Sequence, residues 1–229
     1  MTGHDDDLGA NRASPPNLMH EPDPAGSAAP ISRAEIMRWR KAERARLIAQ
    51  RLAIPRDARN ALGERIAAHL EQAIGDPAGL TVSAYWPFRG EPDLRELLQR
   101  VHERGGRAAL PVVIARGAPL IFRVWARGDP IERGVWNIPI PAAGAELVVP
   151  DVVIAPVVGF DPACYRLGYG GGFFDRTLAA MARKPRVFGV GHAQARIATI
   201  HPLAHDVAMD AVITEEGIVE PAPATRGGT

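Results

Sequence analysis

Arg166 to Arg176, RLGYGGGFFDR, constrains the fold of this chain more than any other stretch. It follows an apolar run from Val152 to Val158, broken only by Pro156, and it leads into Phe173–Met181, where Phe174, Leu178 and Met181 recur at helical spacing. That order spells buried strand, glycine loop, helix. Gly168, Gly170, Gly171 and Gly172 lack a Cβ, so the backbone there can take positive φ and turn successive N–H groups toward one anion at the helix N-terminus. One or two glycines usually suffice for a turn; this density points to phosphate.

The flanking side chains sharpen the reading. Arg166 offers a rigid fork of donors for phosphate oxygens, whereas Asp175, in the first turn of the helix, would repel a polyphosphate unless a cation lay between them. A nucleotide carried with Mg²⁺ satisfies both. Neither common nucleotide signature is present: no Gly-Lys-Ser/Thr follows the glycines, and Phe173 stands where a dinucleotide fingerprint needs its third glycine. The competing reading is a tight strand-to-helix turn, with Asp175 merely complementing the helix dipole.

The segment RLGYGGGFFDR, with Phe160 and Asp161 just upstream, resembles the signature of the 5-formyltetrahydrofolate cyclo-ligases, also called 5,10-methenyltetrahydrofolate synthetases. The resemblance covers about Arg33 to Gly217. It implies an α/β fold, a three-layer Rossmann-like sandwich of the type shared with sugar-phosphate isomerases and CoA transferases (NagB/RpiA/CoA transferase-like). It also implies ATP- and Mg²⁺-dependent closure of 5-formyltetrahydrofolate to 5,10-methenyltetrahydrofolate, with release of ADP and phosphate. Arg166 and Asp175 would then serve catalysis, Gly168, Tyr169, Gly170, Gly171 and Gly172 would cradle ATP, and Asp175 with Asp206 would hold Mg²⁺.

Further positions follow from the same resemblance. Arg40 and Arg44 stand four residues apart on a helix expected from Arg33 to about Leu52, capped by Ser32 and Glu35, with Arg51 on the same face. By itself that pattern reads as a solvated basic face. Family members carry Lys-x-x-x-Arg here, directed at ATP phosphates; Arg40 takes the lysine position, and Lys41 is the neighbouring candidate at a different helical angle. Glu91, which alone would read as a weak helix-end charge, matches a Gly-Glu pair whose carboxylate faces the folate, and a pterin presents adjacent N–H donors that one carboxylate can accept. Trp136, in Trp-Asn-Ile-Pro, is suited to stacking on a flat ring. Phe173, Phe174 and Gln194 complete the expected folate contacts. His201 to Asp206, HPLAHD, has a zinc-like look, but hard Mg²⁺ prefers Asp206 with Asp175 and phosphate oxygens. The chain departs from the family pattern at Arg40, at Cys164-Tyr165 where glycine is common, at Phe174 where many members have tyrosine, and at His192.

Elsewhere, a second helix is expected from Arg56 to about Ala73, strands over Leu80–Tyr85, Arg107–Ile114, Leu120–Trp125, Arg186–Val190 and Val207–Ile213, and a helix after Pro92. With 229 residues and 46% hydrophobic composition the chain can bury one core, so residues 31–219 read as one domain between a disordered tail, 1–30, and a flexible tail, 220–229. A net charge of +1 argues against a nucleic-acid coat or a polybasic membrane binder, and a single cysteine, Cys164, excludes an internal disulfide. No apolar run approaches the roughly 20 residues of a membrane span. The expectation is a cytoplasmic monomer that binds neither nucleic acid nor membrane. Two rivals remain open: a same-fold enzyme acting on a sugar phosphate or CoA ester without ATP, and a non-catalytic relative that binds RNA or a protein.

Overall fold

A computed structural model describes residues 31–222. The two expected tails lie largely outside this range. The part of the 220–229 tail that is described is tied down, Ala222 donating its N–H to the Pro162 carbonyl at 2.9 Å.

Helix α1, Arg33–Ala53, is followed by α2, Arg56–Ile74, which begins after Pro55 and ends where Gly75 takes φ +78°. Strand β1 (Thr81–Ser83), helix α3 (Arg95–Glu103), β2 (Arg107–Val112) and β3 (Ile121–Val124) come next. Pro92 is not the first residue of α3. That helix starts three residues later, and Asp93 accepts the Arg95 N–H ahead of it. A separate hairpin, β4 (Ile131–Arg133) with β5 (Pro139–Pro141), is closed by a 3₁₀ turn, Val135–Asn137, and β6 (Leu147–Val148) leads to β7 (Val152–Pro156). Then come β8 (Gly159–Phe160), β9 (Arg166–Leu167), α4 (Phe173–Ala180), β10 (Arg186–Val190), β11 (Ala211–Thr214) and β12 (Gly217–Val219).

Among the described residues, eight strands form one sheet in the order β12-β11-β10-β7-β1-β2-β3-β6. Its centre, β11 to β2, is parallel and its margins are antiparallel. A parallel centre is buried on both faces, which explains why the apolar run in β7 does not alternate. Val152 and Ile154 pack with Ile66, Leu70, Leu97 and Leu98 of α2 and α3, while Val153 between them packs with Leu178 of α4 on the opposite face. These are the two outer layers of a three-layer sandwich. A smaller cluster, Leu47 with Val158, Leu167 and Ile200, seats α1 against the segment after β7.

Two local features depart from the sequence reading. The buried residues of α1 are Arg40, Leu47 and Arg51, so its arginines are not all solvated. Between β7 and the glycines the chain also makes a short hairpin, with Phe160 paired to Arg166. Asp161 shapes its turn by accepting the N–H groups of Ala163 and Tyr165 through Oδ1. Arg166 therefore sits on a strand, ahead of the loop. Cys164 in this turn has φ +59°, a conformation glycine adopts without penalty, which accounts for the residue type it replaces.

Candidate active site

The glycine loop leaves β9 at the carboxyl-terminal side of the parallel strands, where open α/β sheets hold their ligands. Gly170 and Gly172 have φ of +93° and +63°, and Gly172 caps α4 in the left-handed conformation. Gly171 is closely approached: a Cβ there would stand 2.6 Å from the Phe173 ring, which would have to shift. Among the described residues, the N–H groups of Tyr169, Gly170, Gly171 and Gly172 donate no hydrogen bond. They are free donors at a helix N-terminus.

The loop forms one wall of a cleft of about 1380 Å³, its open mouth included, lined also by Arg40, Arg44, Glu91, Trp136, Arg166, Asp175 and Asp206. Its cationic end is already organised. Arg40 donates to the Ile200 and His201 carbonyls and, through both terminal nitrogens, to Asp206, at 3.2 and 2.5 Å. Asp206 also accepts the Leu203 N–H; burial pushes its carboxyl up, but Arg40 and that N–H outweigh burial and hold it below the ordinary carboxylate value. Arg166 is buried, 2.8 Å from Asp175 Oδ1, with its guanidinium 5.6 Å from the Phe174 ring centre. Burial pushes the Arg166 guanidinium down and Asp175 pulls it back. Asp175 Oδ1 also accepts the Val207 N–H, while Oδ2 makes no hydrogen bond among the described residues. Arg44 differs from both arginines. It donates to the Gly168 carbonyl at 2.6 Å and has no carboxylate within 4.0 Å among the described residues.

The other end is aromatic and acidic. Phe88 and Trp136 lie nearly parallel, 9° apart with centroids 6.3 Å apart, and Tyr169 is tilted against both. Trp136 and Asn137 hold positive φ, +57° and +60°, at the tip of the β4–β5 hairpin, and the indole is half exposed. Glu91 is buried. Its Oε2 accepts the Phe88 N–H at 2.9 Å and its Oε1 the Tyr169 hydroxyl at 2.7 Å. Burial raises its carboxyl to about 7, against the opposing pull of Arg51, the Tyr169 hydroxyl and the Phe88 N–H. Tyr169 thus lends its backbone to the glycine loop and its hydroxyl to the acidic wall.

The sequence-predicted residues converge with two exceptions. Arg40, Arg44, Glu91, Trp136, Arg166, Gly168, Tyr169, Gly170, Gly171, Gly172, Phe173, Phe174, Asp175 and Asp206 all line the cleft. Lys41 is exposed on α1 and Gln194 is exposed in the 3₁₀ turn Ala193–Ala195, both outside it. Tyr85 and His205 also line the cleft. No sequence signal marked Tyr85, whereas His205 lies inside the HPLAHD motif. For Mg²⁺, which takes one or two carboxylates and otherwise phosphate and water oxygens, Asp175 Oδ2 is a suitable donor, while Asp206 has both oxygens engaged by Arg40.

The fold is a three-layer α/β sandwich in which a glycine-rich loop and an acidic, aromatic wall line one cleft. Residues 36–215 match the 5-formyltetrahydrofolate cyclo-ligase family, and the chain belongs to that family. It is 37% identical over 151 residues to the 5-formyltetrahydrofolate cyclo-ligase of Mycolicibacterium smegmatis, covering 62% of this chain and 77% of that protein. With the Escherichia coli K12 cyclo-ligase it shares 31% over 146 residues, covering 61% and 80% respectively. The 5,10-methenyltetrahydrofolate synthetase of Aquifex aeolicus superposes with a TM-score of 0.69 at 22% identity, over 83% of this chain and 96% of that one. That of Mycoplasma pneumoniae gives 0.64 at 21%, over 77% and 98%. These two likenesses establish the fold.

Proposed function

We propose that the protein is a 5-formyltetrahydrofolate cyclo-ligase that uses ATP with Mg²⁺. The observation that carries this reading is the meeting, in one cleft, of unengaged loop N–H groups and Arg44 with the Glu91–Trp136 wall. The formyl oxygen attacks the γ-phosphorus of ATP and the bond to the β-phosphate oxygen breaks, releasing ADP and leaving a phosphorylated imidate. N10 then attacks the former formyl carbon, the carbon–oxygen bond breaks, phosphate leaves and N10 loses its proton.

No protein nucleophile is needed, so positioning and charge neutralisation supply the catalysis. The N–H groups of Tyr169–Gly172 and the Arg44 guanidinium hold the phosphates; Arg40 and Arg166, fixed by their carboxylates, back them. Glu91 accepts the pterin N–H groups, and Trp136 and Phe174 cover the ring. Asp175, whose Oδ2 makes no hydrogen bond among the described residues, would hold Mg²⁺, which would supply charge to offset that of the phosphates. Trp136, half exposed and nearly parallel to Phe88, stands at the edge of the wall.

No helix among the described residues is long and apolar enough to cross a membrane. The near-neutral charge of +1 fits a protein free of nucleic acid, and we take it to act in the cytoplasm as a monomer. The test is growth of methenyl-folate absorbance on mixing protein, 5-formyltetrahydrofolate and MgATP. Growth that requires ATP and is abolished by EDTA supports the reading. A flat trace from protein that binds ATP assigns the loop to a nucleotide and the wall to another acceptor.

A further inference from the structure

Arg51, near the end of α1, is buried with its side chain only 6% exposed, yet it lies outside the lining of the cleft. Its guanidinium gathers three separate segments. Nε donates to the Arg89 carbonyl at 2.9 Å, one terminal nitrogen to the Val157 carbonyl at 3.3 Å, and the other to the Tyr169 hydroxyl at 2.5 Å. The last nitrogen is also 3.9 Å from Glu91 Oε1. The Tyr169 hydroxyl therefore accepts from Arg51 and donates to Glu91. Arg89 and Gly90, directly before Glu91, hold φ of +48° and +77°, and the Arg89 carbonyl that Arg51 grips belongs to this strained turn. A side chain that fixes the turn, orients the hydroxyl and faces the carboxylate does three jobs from behind the wall.

We infer that Arg51 is a positioning residue that locks Glu91 and the Tyr169 hydroxyl together, holding the Glu91 carboxyl aimed at the folate ring and tying that wall to the glycine loop. The inference rests on the folate reading of Glu91 for its functional meaning, but the clamp itself does not. Burial works against the charged form of Glu91 and is the largest influence on it, and the groups that face it oppose burial. Arg51 comes from α1 and Tyr169 from the glycine loop. Tyr85 donates its hydroxyl to the Pro92 carbonyl, Asp93 follows in the same loop, and His192 approaches the Gly90 carbonyl at 3.4 Å. Arg59 lies beside Gly90. Of these, Arg51 supplies the nearest cation and Tyr169 the hydroxyl donor, both pulling the Glu91 carboxyl down.

The experiment reads Glu91 directly, in ligand-free full-length protein, by carboxyl ¹³C NMR with its resonance assigned through Glu91→Gln. In Arg51→Met the Glu91 midpoint moves up by about one unit or more, the size expected on losing a cation at this range, and Arg51→Lys recovers part of the shift. Tyr169→Phe, which deletes one oxygen and spares the fold, moves it in the same direction. In parallel, the KM for 5-formyltetrahydrofolate in Arg51→Met rises at least 10-fold at pH 7 and recovers as pH increases, while kcat at saturation changes less. An unshifted Glu91 in folded Arg51→Met or in Tyr169→Phe overturns the clamp. A shifted midpoint with an unchanged folate KM overturns only its link to folate. Absence of cyclo-ligase activity in the unsubstituted protein bears on the function proposed above and leaves the NMR result standing.

Discussion

Replacing Arg44 with alanine separates the nucleotide from the folate half of the cleft. Arg44 is half-buried and, among the described residues, is hydrogen-bonded only to the Gly168 carbonyl and paired with no carboxylate within 4.0 Å, unlike Arg40 and Arg166. Burial and then the neighbouring Arg40 push its guanidinium below its ordinary value, a strain that an incoming phosphate relieves. A hydrogen bond to a charged group is worth about 1.5–3 kcal/mol, so Arg44→Ala should lower kcat/KM for ATP by about 10- to 150-fold. At saturating ATP, kcat/KM for 5-formyltetrahydrofolate should stay within about threefold, since the Glu91 wall is untouched. Initial rates of methenyl-folate absorbance, with either substrate varied, measure both. Arg44→Lys should fall between, because a point charge cannot reproduce the fork. A loss shared equally between the substrates, or an unchanged KM for ATP, refutes the assignment.

Asp175→Asn should depress turnover far more than folate binding, read by steady-state rates against equilibrium titration; equal losses would remove Asp175 from the metal role. Gly171→Ala should raise the KM for ATP through the Phe173 ring, which its Cβ would meet at 2.6 Å, whereas at Gly168 an added Cβ meets nothing within 4 Å and the loss should be smaller. Glu91 predicts a pH signature in stability: its folded-state value of about 7 lies above the ordinary 4.5, so between these the native state binds the extra proton and stability falls as pH rises. At 1.36 kcal/mol per unit that is on the order of 3 kcal/mol, so denaturant unfolding should find Glu91→Gln stabilised relative to the parent at pH 8 and not at pH 4.5; the same shift at both values would refute it.

What the sequence made legible was local. The glycine loop, α4 and the buried β7 announce themselves within a few residues, because glycine density and apolar runs need no partner to be read. The β8–β9 hairpin was hidden since strands of two residues carry no periodicity, which is why Arg166 read as part of the loop. The burial of Arg40 and Arg51 was hidden for a different reason. A charged helix face looks solvated until its counter-groups are known, and Asp206 and Tyr169 lie 166 and 118 residues away. Gln194 misled in the opposite sense: its place at the end of β10 was read correctly, but the turn that follows points it to solvent.

The long-range pairs also explain why the phosphate loop is so rich in glycine. Burying the guanidinium of Arg40 or Arg166 without a counter-charge would cost several kcal/mol, and Asp206 and Asp175 offset part of that cost. Once paired, these arginines offer a polyphosphate little uncompensated charge. Beyond Arg44, the remaining attraction comes from groups that carry partial charge without a desolvation penalty of that size, and backbone N–H groups at a helix N-terminus are of that kind. Presenting several of them to one ligand requires the left-handed turns at Gly170 and Gly172 and the tight approach of Phe173 to Gly171. Side chains at those positions would close the loop, and the paired arginines could not replace it.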